Sequence, residues 1–92
     1  MREGVIEIRY EEAFRSWLNR STGLKGRSVD DICSRVRRVA RMTAPKWGSG
    51  EEELVFTLGK SQSYRQCTLS VRSQLKRAAL LYNKFVVQYP VR

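Results

Sequence analysis

The side chains in this sequence best suited to chemistry are cations, and they fall into two groups. One is Arg35, Arg37, Arg38 and Arg41; the other is Arg72, Lys76, Arg77 and Lys84. A guanidinium grips paired oxygens of a phosphate or carboxylate through two parallel hydrogen bonds, and an ammonium supplies a compact point charge. Spacings of three and four within each group place the charges on helix surfaces rather than along loops. Ser73, Gln74 and Asn83 interleave neutral donors with the second group. A polyanion is the partner that such surfaces address.

The charge balance supports this. Lys+Arg number 18 against 9 Asp+Glu, a net charge of +9 in 92 residues. Every acid lies at or before Glu53, and Lys60, Arg65, Arg72, Lys76, Arg77, Lys84 and Arg92 follow without one. Self-repulsion on this scale opposes a compact state unless a counter-charge neutralises it. A membrane surface is the weaker alternative, because no apolar run approaches a spanning length and no signal-like segment opens the chain. Histidine is absent, which removes the commonest general base and the commonest zinc ligand. Cys33 and Cys67 fit no metal spacing; Cys33, on an apolar stripe, is expected to pack as a reduced thiol, and the chain reads as cytosolic. The three adjacent acids Glu51 to Glu53 are explained by a helix dipole. We expect no metal, no cofactor and no catalysis.

The elements that must position these cations are helical. Thr68 to Tyr89 is the longest such pattern, with Val71, Leu75, Ala78, Tyr82, Phe85, Val86 and Tyr89 on one face and the second basic group, with Asn83, covering the other. Ser70 or Thr68 is its N-cap, and Pro90 stops it. Residues 10–19 form a first helix with Glu11 and Glu12 in its first turn and Phe14, Trp17 and Leu18 as its core face. Ser21, Thr22, Gly23 and Gly26 break it, and Leu24 plugs the core. Residues 28–42 form a second, with Ser28 and Asp31 as a box-like start and Val29, Ile32, Cys33, Val36, Val39 and Ala40 as its buried stripe. Asp31 and Arg35 are placed to pair, leaving Arg37, Arg38 and Arg41 with no local acid. A loop around Pro45, Gly48 and Gly50 carries Trp47 as a core lid. Residues 51–58 form a short third helix packing through Leu54, Val55 and Leu58, and a polar link holding an inward Tyr64 leads to the last helix. Residues 1–9, containing VIEI, are an extended lead-in. Phe14, Trp17, Leu18, Ile32, Val36, Leu75, Tyr82 and Phe85 are expected to meet in one core, in a single all-α domain.

Residues 14–42, FRSWLNRSTGLKGRSVDDICSRVRRVARM, resemble the start of the SAM-like core-binding domain of phage-integrase-type tyrosine recombinases. The resemblance lies in Phe14, Trp17 and Leu18, then Gly23 and Leu24, Ser28 and Val29, and the basic run Arg35 to Arg41. SVRSQLKRAALLYNKFV is similar to that family's last helix, and the likeness covers about residues 10–87. It implies a four- to five-helix SAM-like orthogonal bundle that clamps one side of duplex DNA while a separate catalytic domain exchanges strands. That domain's Arg, Lys, His and Tyr groups map to nothing here. The chain is then either an excised domain or a free-standing relative that binds without cutting, of bacterial, phage or mobile-element origin.

The expected function is therefore duplex DNA binding, in a setting of DNA recombination and integration, through Arg35, Arg37, Arg38, Arg41, Arg72, Lys76, Arg77 and Lys84. A helix-turn-helix ranks lower, because Asn19 to Arg27 is longer than that motif's turn. RNA ranks lower because no exposed aromatic pair is evident to stack bases. The alternative from another class is a protein-interaction module, docking a partner through Leu80 and Val87, seven apart on the last helix and opposite its core stripe.

Overall fold

Apolar residues at three- and four-residue spacing close every long segment of this chain into helix. The computed structural model describes residues 10–88, so the lead-in at 1–9 and the expected stop at Tyr89 and Pro90 lie outside the described residues. The order is α1 (Glu11–Thr22), α2 (Arg27–Thr43), α3 (Glu51–Lys60), α4 (Gln62–Arg65) and α5 (Leu69–Gln88), an all-α bundle with no strand among the described residues. At 20 residues, α5 is about 30 Å long, comparable with the 33 Å longest dimension of the molecule. Its most extensive partner is α2, with α3 and α1 packed on its flanks.

Two clusters share the interior rather than the single core expected. Phe14, Trp17, Leu18, Ile32, Val36, Tyr82 and Phe85 meet with Val29, Cys33 and Ala78 between α1, α2 and α5. Leu75 belongs instead to a second cluster with Val39, Leu54, Leu58 and Ala79, where α3 covers the early half of α5. Tyr82 stands edge-on to Phe14 at 4.9 Å and to Trp47 at 4.8 Å, geometry favoured by the ring quadrupoles. Trp47, half-buried, touches both clusters and closes the seam between them. Leu24 packs on the first cluster, also half-buried.

Several boundaries shift for identifiable reasons. Ser21 and Thr22 continue α1 instead of breaking it: the Thr22 hydroxyl donates to Leu18 O at 2.6 Å, and Gly23, at φ 76°, turns the chain while its N–H reaches Asn19 O. At the start of α2, Ser28 is not a cap; Gly26 holds that position, and the Ser28 amide already donates to Lys25 O. Gly59 lies inside α3, and the polar link after it contains the one-turn α4, whose cap Ser61 accepts from the Tyr64 amide. Thr68 caps α5, its hydroxyl accepting from the Val71 amide at 3.2 Å, so Ser70 lies within the helix. Val55, expected in the α3 packing face, is exposed, and Phe56 beside it is 66% exposed.

Asn83 is the main correction on α5. It lies not on the charged face but in the core, 2% exposed, in line with Leu75 and Ala79 at four-residue intervals. Its Oδ1 accepts from the Gly48 amide at 2.6 Å and its Nδ2 donates to Ser49 O at 2.8 Å. Both partners are backbone groups of the α2–α3 loop, where Gly48 turns at φ 95° with the Val86 side chain against it. One amide thus anchors the loop that carries Trp47. Asn83→Ala should cost about 1–2 kcal/mol in urea unfolding by leaving those groups without partners, against about 3–5 kcal/mol for Phe85→Ala. An Asn83→Ala protein as stable as the parent would contradict the anchor.

Candidate functional site

Packing α2 on α5 stripe to stripe makes the centres of their solvent faces diverge, and this decides which cations can act together. The eight do not form one surface. Lys76, Arg77 and Lys84 converge on the outer side of α5, where with Ser73, Leu80, Leu81 and Glu51 they line a groove of about 350 Å³. The rim is cationic and the floor is leucine. Among the described residues no ion pair engages any of these three cations, and α5 carries no acid at all.

Arg38 and Arg72 come to the edge where α4 meets α5. The Arg38 Nη2 lies 3.7 Å from the Cys67 sulfur, two residues before α5 begins. Arg72 is half-buried, contrary to the expectation of a free surface cation. The Tyr64 hydroxyl donates to its carbonyl at 3.1 Å, and its Nε is buried without a hydrogen-bond partner in the protein. Part of the guanidinium itself is thus withdrawn from solvent. Burial lifts the Tyr64 phenol above its ordinary value, partly opposed by the positive charge of Arg72.

On α2, Arg41 is exposed and Arg35 half-buried. Arg35 does not pair with Asp31; the neighbouring Asp30 is held instead by Arg15, at 2.6 Å. Arg37 is not without an acid either, because its Nη1 meets Glu11 Oε1 at 2.7 Å. Glu11 also holds Arg15, at 3.0 Å. Arg37, Glu11, Arg15 and Asp30 therefore form a chain of charge-assisted bonds lashing α1 to α2, and Arg37 belongs to it rather than to a free basic face. Local spacing rules could not reveal this, since Glu11 and Arg37 are 26 positions apart.

The remaining polar features explain themselves structurally. A depression of about 520 Å³ between α1 and the start of α2 is lined by Arg15, Asn19, Arg20 and Lys25 among others, but none of the eight predicted cations reaches it and Arg15 is already engaged. Cys33 is buried, and burial pushes its thiol above the ordinary value, keeping it protonated. Among the described residues no His, Cys, Asp or Glu cluster is placed to hold a metal, and no helix is long and apolar enough to cross a membrane. Sequence reasoning had Leu80 facing outward; it is half-buried against the second cluster and forms the floor of the groove. It missed Leu81 and the approach of Glu51, which require the placement of α3 to be seen.

Glu11 supplies a pH test of this geometry. Burial acts to raise its carboxyl, but the hydrogen bonds and charges of Arg37 and Arg15 outweigh that and hold it below its usual 4.5. A carboxyl depressed in the folded state stabilises above its unfolded pKa, and the contribution is lost as pH falls through the folded value. Glu11→Gln should therefore lower stability at pH 7 by up to about 1 kcal/mol, and the gap to the parent should close as pH drops below about 4.5. A gap independent of pH would contradict the ion pairs.

Compared with protein-family models, with curated proteins and with solved structures, the chain matches none.

Proposed function

We propose that this domain binds duplex DNA without itself performing catalysis, resting the phosphate backbone along α5 and the α4–α5 edge. The observation that carries the reading is that α5 bears four cations, no acid and, among the described residues, no ion pair to satisfy them. In isolation that helix is a line of uncompensated positive charge about three turns long from Arg72 to Lys84, and a polyphosphate is the partner that offers charge at matching density. Lys76, Arg77 and Lys84 supply the principal contacts, with Arg38 and Arg72 joining at the edge. Arg35 and Arg41, on the diverging face of α2, stand outside this set, as does Arg37, held by Glu11. Ser73 is exposed within the groove and can donate to a phosphate oxygen; Asn83, buried, is withdrawn from the set.

The core-binding role of a tyrosine recombinase, or of a free-standing cytoplasmic relative, belongs to the same proposal. It rests on the resembling residues Phe14, Trp17, Leu18, Gly23 and Leu24 together with the helical architecture. In that role the domain would position DNA for chemistry carried out elsewhere.

The test is salt dependence. With about four to six phosphates engaged, log affinity against log salt should fall with a slope of roughly −4 to −5. Lys76→Ala with Lys84→Ala is the appropriate double variant, because both side chains are exposed, whereas Arg72 contributes to packing. It should flatten the slope by about two and weaken binding to a mixed-sequence duplex at low salt, with thermal stability unchanged. An affinity insensitive to salt, or unaffected by the double change, would overturn the reading.

A further inference from the structure

DNA phosphates account for the rim of the α5 groove but not for its floor. Leu80 and Leu81 give the groove a surface that a phosphate backbone cannot use, and Val87, 62% exposed, continues the outward line from Leu80 by two turns. From Ser73 to Lys84 the groove follows α5 for about 16 Å, roughly three turns. Three cations stand against one carboxylate, Glu51, around this apolar track.

We propose that the α5 groove docks an acidic amphipathic helix from a partner protein, and that this occupant competes with DNA for the same cations. Charge complementarity identifies it: apolar side chains at i, i+3 or i+4, and i+7 would seat on Leu80, Leu81 and Val87, while flanking Asp and Glu residues pair with Lys76, Arg77 and Lys84. A basic or neutral helix would leave the three cations uncompensated beside the newly buried leucines. A disordered acidic tail would satisfy the cations but leave the leucines in water. Docking rests on the groove alone; only the competition rests on the DNA reading.

The probe is a synthetic peptide about four turns long with Leu at i, i+3, i+4 and i+7 and Glu elsewhere, paired with a scrambled peptide of identical composition. By fluorescence anisotropy without DNA, the parent domain should bind the patterned peptide roughly tenfold more tightly than the scrambled one, the ratio expected when one or two leucines are buried only in the former. Lys84→Glu, on an exposed position, should weaken the patterned peptide several-fold. Leu80→Ala should abolish most of the preference for pattern over scramble. If Leu80→Ala melts early, Val87→Ser at an exposed site provides the same readout. Equal affinity for both peptides, or indifference to these changes, would overturn the docking site and leave general charge attraction. Duplex binding is measured separately: if the patterned peptide binds but DNA does not, the docking site stands and the DNA reading fails. If both bind, displacement of the duplex by the patterned peptide and not by the scrambled one is the expected result, and simultaneous binding would refute the competition.

Discussion

Burial of one stripe of α5 against α2 is the constraint on which the rest depends. Tyr82 and Phe85 on α5 meet Phe14 and Trp17 of α1 over Ile32, Cys33 and Val36 of α2, and each large ring removed from water stabilises by several kcal/mol. Once that stripe is fixed, the position of every cation on both helices follows from helical geometry. Lys76, Arg77 and Lys84 must face outward, and of the α2 arginines Arg38 alone comes to the α4–α5 edge while Arg35 and Arg41 diverge. The cationic groove on α5 is thus a by-product of core packing, with no loop among its lining residues.

The same constraint explains why the domain tolerates its charge. The acids that form ion pairs among the described residues do so with cations of α1 and α2 rather than of α5. Glu11 serves Arg37 and Arg15, Asp30 serves Arg15, and Glu51, Glu52 and Glu53 lie in the first turn of α3, favourable for its dipole. Glu51 alone reaches the α5 groove. An incoming anion would therefore meet one carboxylate beside three cations that no ion pair engages among the described residues.

Much of this was legible in the chain. Periodicity located all four long helices, and the aromatic spacing of Phe14, Trp17, Tyr82 and Phe85 identified the main core. What escaped were features set by tertiary contact. Asn83 looked polar and therefore exposed, although its four-residue spacing from Ala79 and Leu75 already placed it in the buried line. The Glu11–Arg37 pair joins residues distant in sequence, and no i,i+4 rule reaches it. Leu80 lay opposite the core on a helical wheel, yet α3 sits close enough to half-bury it. Thr22 and Ser28 differ from expectation because a hydroxyl near a helix end can cap, bond back to the preceding turn or break the helix, and only the neighbouring geometry decides which.

The most direct test of the central claim, that anionic partners meet this domain on α5, is a titration of the isotopically labelled protein with a short mixed-sequence duplex, followed by amide chemical shifts. The largest perturbations should map to Arg72–Lys84 and to the α4–α5 edge at Arg38 and Cys67, with α1 and the Arg15–Asp30 depression largely unmoved. Perturbations concentrated on α1 or on the exposed Phe56 face of α3, with α5 silent, would contradict the account.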